Sequence, residues 1–391
     1  SECLVGSEMC IRDRWSDVDL GGKRVLVIIG EHRPFTQRQK DALDNFCTGY
    51  NVVVYVNHLS NYHGIYSIQG NLLVSCGGLK HLNPDIIITI GGQTGDYSIY
   101  NALNLTKNTE HWRVCEDGNV VNTYNRLNKI FECPAFYFFN RMKKDMQVDH
   151  SYYEEWKNMN STMNYNVEVP FSNLYVAQQL YKDIPQNSIM NFAILNSLRS
   201  WSYFPLNTSI QGYANVAAFG IDGCNSMLIG ESMNTNEFCF IVTGDLAFFY
   251  DMNALGIRHI KNNVRILLVN NNGGAEFKIM TRNWTDNVNV DNFISANGHN
   301  GNAKGWAENC GFKYISAKNK EEFSNVKNEF INENFRPILF EVFTEEVDEV
   351  VAMSEFIGKN KIVKSGDKIK AVVSSIVGNE GLKVIKKIVR R

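Results

Sequence analysis

Two apolar runs constrain this chain more than anything else in it, because each runs straight into a polar turn of one kind. Residues 238–242 lead into Gly244-Asp245-Leu246, and residues 264–269 lead into Asn270-Asn271-Asn272-Gly273-Gly274. If the two runs are neighbouring parallel strands, Asp245 and Asn271 stand side by side at one edge of a sheet. Ligands of open α/β folds bind at that edge. A carboxylate, an amide oxygen and a glycine-flanked backbone carbonyl are hard oxygen donors, suited to Mg2+ shared with a diphosphate.

The rest of the chain repeats this grammar. Residues 23–30 (KRVLVIIG), 51–56 and 85–90 are continuous apolar runs, as expected for strands buried on both faces of a parallel sheet. Thr36 suits a helix N-cap, with the helix running to about Thr48. The turn Gly91-Gly92-Gln93-Thr94-Gly95 either cradles a phosphate at a helix N-terminus or is a tight strand-to-helix turn. Residues 134–172 form a transition, with Pro134, an aromatic run at 136–139, a polar helix at 151–158 and Pro170. A second alternating unit follows, with helices expected at 173–182, 251–260 and 320–332 and strands at 188–195, 312–315 and 337–343. The pattern predicts two doubly wound α/β domains with parallel sheets, a Rossmann-like one over 15–150 and a second over 171–358.

Of the 391 residues, 44% are hydrophobic and 20% charged, as in soluble globular proteins. The net charge of −2 provides no global field for nucleic acid or an anionic membrane. No run is long enough to span a bilayer, and no signal peptide opens the chain. Nine scattered cysteines without a C-x-x-C pair imply reduced thiols and a cytoplasmic protein. Residues 1–14 carry neither strand nor helix periodicity and read either as a non-native leader on a natural chain that is longer at this end, or as an ordinary disordered terminus. From 359 to 391 basic residues outnumber acidic ones by ten to two. The apolar spacing in 379–391 fits either a surface helix covering the domain edge or a basic amphipathic helix for an anionic membrane or partner.

The acid-bearing turn and the asparagine turn together resemble the thiamine-diphosphate motif. GDLAFFYDMNAL, VNNNGG and the upstream GIDGCNSMLIG are similar to the 2-succinyl-5-enolpyruvyl-6-hydroxy-3-cyclohexene-1-carboxylate synthases of menaquinone biosynthesis. The resemblance is dense in motifs over 189–277 and architectural over 20–185. It implies thiamine diphosphate and Mg2+ as cofactors, with Asp245, Asn271 and the Gly273 carbonyl as metal ligands. Leu246 replaces the second glycine of the commoner GDG form, as it does in these synthases. The resemblance further implies that Gly244, Leu246 and Ala247 face the diphosphate, that Asn196 and Ser197 lie near cofactor and substrate, and that Gly220, Asp222 and Gly223 pass beneath the aminopyrimidine ring. From residues alone, Asn196 and Ser197 fit a helix cap equally well.

Three positions depart from the family. Its substrate-binding arginines fall here on Trp201, with Arg199 two residues earlier, and on Val216. Glu276 stands where related enzymes place the apolar side chain that bends the cofactor, so it is either a catalytic or substrate-contacting group or a surface residue. His299, in the Gly/Asn-rich stretch SANGHNGNAKGW, is a second catalytic candidate. His259 is expected on a helix after the acid turn, in a structural role.

The resemblance implies an enzyme, a 2-oxo acid decarboxylase or carboligase of the transferase or lyase class, with an unidentified acceptor and a homodimeric or homotetrameric assembly. Family members also use a glutamate on a pyrimidine-binding domain, for which there is no room before Lys23. That domain is therefore expected from a missing N-terminus or a separate chain. The alternative is a non-catalytic thiamine-diphosphate-binding subunit that pairs with a pyrimidine-domain chain. A third reading makes the first domain a nucleotide sensor.

Overall fold

The computed structural model describes Trp15 and residues 18–146, 148–280, 298–333 and 335–362. The expected leader and all of the basic tail beyond residue 362 lie outside the described residues.

The first unit contains β1 (Val25–Ile29), α1 (Gln37–Thr48), β2 (Val52–Val56), β3 (Ser67–Gln69), α2 (Asn71–Ser75), β4 (Ile86–Ile90), α3 (Tyr97–Asn104), β5 (Glu110–Cys115) and β6 (Leu127–Glu132), followed by α4 (Ala135–Met142) and α5 (Ser151–Asn160). Its six strands lie in the order β3-β2-β1-β4-β5-β6, all parallel. Every residue of β1 and β2 is buried, which is why these strands read as unbroken apolar runs. Thr36 caps α1 as expected: its hydroxyl accepts from Gln39 N, and the Gln39 side chain accepts from Thr36 N. Helix α5, in the expected transition segment, seals this sheet through the buried rings of Tyr152 and Trp156, the latter edge-on to Tyr55.

The second unit contains α6 (Asn173–Leu180), β7 (Ile189–Phe192), α7 (Asn196–Ser202), β8 (Gln211–Ala214), α8 (Cys224–Ser232), β9 (Cys239–Gly244), α9 (Asp245–Tyr250), β10 (Val264–Asn270), α10 (Ala275–Met280), α11 (Lys304–Asn309), β11 (Lys313–Ala317), α12 (Lys320–Asn332), β12 (Ile338–Phe343) and α13 (Glu346–Asn360). Its strand order is β11-β12-β10-β9-β7-β8, again all parallel. The expected α/β class with two doubly wound parallel sheets is thus the observed one. Both sheets change winding direction internally, between β1 and β4 in the first and between β7 and β9 in the second. Each change opens a crevice at the C-terminal strand ends.

One expected helix is different. Residues 251–260 do not form an α-helix; α9 begins at Asp245, ends at Tyr250, and is followed by a 3-10 turn over Met252–Gly256. Gly256 interrupts any longer apolar stripe, and Asp251 accepts from Ser226 N and Oγ at 2.7 and 2.8 Å, which fixes the break. His259 consequently lies in an exposed turn and has no structural role in a helix.

The two sheets share one hydrophobic core, in which Leu26, Ile28 and Tyr55 pack in the same cluster as Met190, Phe192 and Trp201. Asn61 stitches the units together: its Nδ2 donates to Gly212 O and its Oδ1 accepts from Gly212 N, both at 2.9 Å. Among the described residues all seven cysteines are free, and no helix is long and apolar enough to cross a membrane.

Candidate functional site

The register pairs Val269 with Gly244, so the residues after each strand, Asp245 and the asparagine run, emerge together. Asp245 is 1% exposed. Its Oδ1 accepts from Leu246 N at 2.8 Å, and its Oδ2 accepts from Asn271 N and Gly273 N, both at 3.1 Å. Burial pushes the Asp245 carboxyl above the usual range, and the Leu246 N–H, the neighbouring His299 and the Gly273 N–H pull against that rise. Leu246 N is therefore spent on Asp245 itself. Gly244 has φ −81, and a Cβ added there would meet no atom within 4 Å. None of the described residues presses on this glycine, which leaves space before it for a ligand.

Asn271 is nearly buried, and its Oδ1 has no hydrogen-bond partner among the described residues. A buried amide oxygen without a donor is costly unless something outside the chain satisfies it. Asn270, by contrast, is a strut: its Nδ2 donates to Glu341 Oε1 at 2.8 Å and to Gly301 O at 3.0 Å, and its Oδ1 accepts from Asn272 N. Glu341 is fully buried in β12, and its other oxygen accepts from Ala303 N and Tyr314 Oη. This network pins residues 298–303 to the asparagine turn. Along that segment His299 N donates to Asn272 O at 3.0 Å, and the imidazole stands edge-on to Phe249 with its Nε2 3.1 Å from Asp245 Oδ2.

Asn196 and Ser197 open α7 at the end of β7, beside β9 in the sheet. Leu195 precedes them with φ 66 and ψ −123, a strained backbone for a branched residue, and it turns the chain into the helix. The Asn196 amide is held at both ends: Nδ2 donates to Glu349 Oε2 at 3.1 Å and Oδ1 accepts from Ser200 Oγ. Glu349 is itself buried and accepts from Asn173 N and Thr344 Oγ1. Ser197 is buried on the first turn. The third strand end, after β8, carries the turn through Gly220, Asp222 and Gly223. Ile221, Asp222 and Gly223 are exposed. Phe219 has φ 50 and Gly223 φ 70, and a Cβ on Gly220 would sit 2.0 Å from Asp222 Oδ1. Asn225 Nδ2 donates to Phe248 O, which packs this turn's helix against α9.

Glu276 is not a surface residue. Both its oxygens accept from Arg199, Oε2 from Nη1 and Oε1 from Nη2, each at 2.7 Å, and the two side chains are 13% and 15% exposed. This bidentate pair ties α10 to α7. Trp201 and Val216 are 1% and 0% exposed; Trp201 packs against Phe192 in the core. No cation therefore stands at either of those positions.

In the first unit the crevice between β1 and β4 is a cavity of ≈ 500 Å3 lined by Gly91, Tyr97, Tyr100, Arg113, Tyr124 and Phe219, among others. Its glycines serve the chain. Gly30 lets the β1 end cross the β4 end, since a Cβ there would fall 1.8 Å from Gly92 O. Gly92 N donates to Glu31 O and Glu31 N to Gln93 O, and Asp96 caps α3 by accepting from Ser98 N and Ile99 N. The turn is a strand-to-helix connection in which Gly92 N–H is spent on the chain and a carboxylate, Asp96, stands at the helix N-terminus where a phosphate would sit.

Among the described residues no three His, Cys, Asp or Glu side chains cluster as a metal site. One buried carboxylate, one unpartnered amide oxygen and the carbonyl of Gly273 are nevertheless a sufficient hard-oxygen set for a Mg2+ whose remaining ligands are phosphate oxygens and water. The supports Glu341 and Glu349 were not foreseen from sequence. Glu341 left a signal, a lone charge inside the apolar run ILFEVF, whereas Glu349 in a polar-faced helix left none.

No protein-family model matches the chain. Its sequence is similar to that of the 2-succinyl-5-enolpyruvyl-6-hydroxy-3-cyclohexene-1-carboxylate synthase of Christiangramia forsetii, 31% identical over 358 residues, covering 85% of this chain and 60% of the relative. The protein of the same name from Phocaeicola vulgatus is 30% identical over 280 residues (71% and 50%), and that from Flavobacterium johnsoniae 26% identical over 344 (85% and 62%). The chain thus spans about half to three-fifths of the length of these relatives. The similarity to these synthases extends over most of the chain, beyond the motif-dense segment.

Proposed function

We propose that this chain carries the diphosphate- and Mg2+-binding half of a thiamine-diphosphate-dependent enzyme that forms a carbon–carbon bond from a 2-oxo acid donor. One observation carries the reading: Asp245 and Asn271 lie at the ends of adjacent parallel strands, with the Asn271 amide oxygen buried and unpartnered. The similarity to named synthases over most of the chain supports it.

When bound, thiamine diphosphate supplies a nucleophilic carbon that adds to the donor carbonyl and takes up the electrons released with CO2. The chain's own residues bind and orient. Asp245, Asn271 Oδ1 and the Gly273 carbonyl would hold Mg2+. The open space at Gly244 would admit the diphosphate. The turn through Gly220, Asp222 and Gly223 would lie along the cofactor, and Asn196 would act by fixing the α7 turn, because its own amide is already engaged. The Arg199–Glu276 pair would close one side of the site. With Trp201 and Val216 in the core, we propose an acceptor unlike the substrate named for the relatives. The aminopyrimidine end would be held by a domain outside these two sheets, in a dimeric assembly.

Thermal melts test the reading. Thiamine diphosphate with Mg2+ at about 100 times its Kd stabilises the protein by ~2.7 kcal/mol, and the midpoint rises accordingly. Asp245→Ala is expected to abolish that rise, and an undiminished rise in the variant sinks the assignment.

A further inference from the structure

Two buried polar atoms flank the Asp245 carboxylate without a hydrogen-bond partner among the described residues, and they make opposite demands. Asn271 Oδ1 is an acceptor. His299 Nε2 is the other, and its chemistry follows from the opposite side of the ring. Gly301 N–H donates to His299 Nδ1 at 3.0 Å, so Nδ1 is the bare nitrogen and the ring proton sits on Nε2. Nε2 is therefore a donor, and it cannot serve as a metal ligand while this bond holds. It approaches Asp245 Oδ2 to 3.1 Å yet completes no hydrogen bond there. Asp245 has little need of it, since three backbone N–H groups already serve its oxygens.

The ring is fixed by more than this contact. His299 N donates to Asn272 O, Phe249 packs edge-on against the imidazole, and Glu341 anchors the following turn through Ala303 N. A donor atom is thus held in place with only the Asp245 carboxylate 3.1 Å away and no completed hydrogen bond, beside a buried acceptor that has no partner among the described residues. One ligand chemistry answers both: a divalent cation bound to an oxyanion. The cation satisfies Asn271 Oδ1, and an anionic oxygen accepts from His299 Nε2–H.

We propose that His299 is a diphosphate-binding residue, donating from Nε2 to an oxygen of the metal-bound diphosphate. The inference rests on the functional reading above and deepens it. It moves His299 from a substrate-side catalytic role to the anchoring of the cofactor's diphosphate, and it assigns the tautomer that makes this possible.

The test titrates Mg2+ with inorganic diphosphate into the full chain by calorimetry, a probe that needs only this half of the site. His299→Phe keeps a ring for Phe249 and removes the donor, whereas His299→Gln keeps an N–H donor. The expected result is a loss of about ten- to a hundredfold in affinity for the Phe variant, the worth of a hydrogen bond to a charged group, and a smaller loss for the Gln variant. In the wild-type chain labelled with 15N-histidine, the Nε2 proton of His299 should shift downfield on adding Mg2+ and diphosphate, a change that a merely structural imidazole would not show. Unchanged or tighter binding by His299→Phe, alongside normal wild-type binding, overturns this inference and leaves the functional reading standing. Failure of the wild-type chain to bind either Mg2+ with diphosphate or Mg2+ with thiamine diphosphate overturns both. Matching circular dichroism of the two variants and the wild type excludes misfolding as the cause of a loss.

Discussion

The two sheets of this protein offer a natural experiment, because each is six-stranded, parallel and doubly wound, and each opens a crevice where its winding reverses. What differs is how the polar groups at those crevices are used. At β1 and β4 the glycines permit backbone crossing, Gly92 N and Glu31 N bond back to the chain, and Asp96 caps the helix where an anion would otherwise bind. Between β7 and β10 no described residue crowds the glycine before the helix, and two buried polar atoms beside Asp245 complete no hydrogen bond among the described residues. A fold of this kind therefore provides the place for a ligand but not the ligand's chemistry. The difference lies in where the unspent hydrogen-bonding capacity sits: in the second unit it flanks the strand-end acid Asp245, whereas in the first it belongs to Asn71 and His111, side chains that bond Asp96 and Thr89.

The largest effect expected from this contrast comes from a pair of glycine substitutions. In Gly30→Ala the new methyl would lie 1.8 Å from Gly92 O, a backbone atom that cannot step aside. Urea unfolding is expected to show a loss of about 3 kcal/mol or more. In Gly244→Ala the methyl meets no described atom within 4 Å and φ is already −81, so only the poorer capping of alanine counts: stability should fall by no more than ~1 kcal/mol while affinity for Mg2+ with diphosphate falls. Equal destabilisation by both would mean that the second glycine also serves the chain, and the contrast would fail.

Ion pairs give the next step down. Arg199 and Glu276 are 15% and 13% exposed and joined by two hydrogen bonds, so Arg199→Met strands a largely buried carboxylate. A loss of about 1–3 kcal/mol is expected by chemical denaturation, with most of it returned in the Arg199→Met/Glu276→Met double variant. The first crevice has its own arginine, Arg113, but its partner Asp117 is 48% exposed and solvent screens the pair. Arg113→Met is therefore expected to cost less than ~1 kcal/mol. A larger loss there than at Arg199 would reverse the ranking of the two sites.

Much of this was legible in the sequence, for identifiable reasons. Strands buried on both faces show as unbroken apolar runs, so β1, β4, β9 and β10 were read nearly to their ends, and Asn319 caps the α12 that was expected at 320–332. Strands β5, β6 and β8 were missed because they are short or partly exposed: Glu110–Cys115 and Leu127–Glu132 mix buried with exposed positions, and Gln211–Ala214 has four residues. At the site, motif spacing placed Asp245 and Asn271 together, because adjacent parallel strands deliver the residues after them to the same edge of the sheet. It could not place Glu276 against Arg199 or Glu349 against Asn196. Those contacts join residues 77 and 153 positions apart and depend on how α7 packs against α10 and α13. His259 went the other way: its proximity in sequence to the acid turn suggested a helix that Asp251 interrupts.

The smallest effect separates two desolvated carboxylates, the half-buried Asp96 of the first unit and the buried Glu349 of the second. Burial raises both Asp96 and Glu349 above their ordinary values, against the opposing pull of their hydrogen bonds. A raised acid binds its proton more tightly folded than unfolded. Each group's contribution to stability is therefore greatest below the unfolded value, 4.5 for Glu349 and 3.8 for Asp96, and falls as pH rises through the raised folded value. Glu349→Gln should remove one such decline, so the difference in urea stability between variant and wild type should change in the variant's favour from pH 4.5 upward. Asp96→Asn should do the same in its own window. The two should part in ligand binding. Asp96 takes its bonds from Tyr55, Asn71, Ser98 and Ile99, all within the first unit. Glu349 instead holds Asn196 at the head of α7, and a glutamine amide placed there would set donor against donor at Asn196 Nδ2. Glu349→Gln is accordingly expected to weaken Mg2+–diphosphate binding a few-fold, with Asp96→Asn leaving it unchanged. Weakening by Asp96→Asn as well would mean that the shared core couples the two crevices, and the first could no longer be regarded as a bystander.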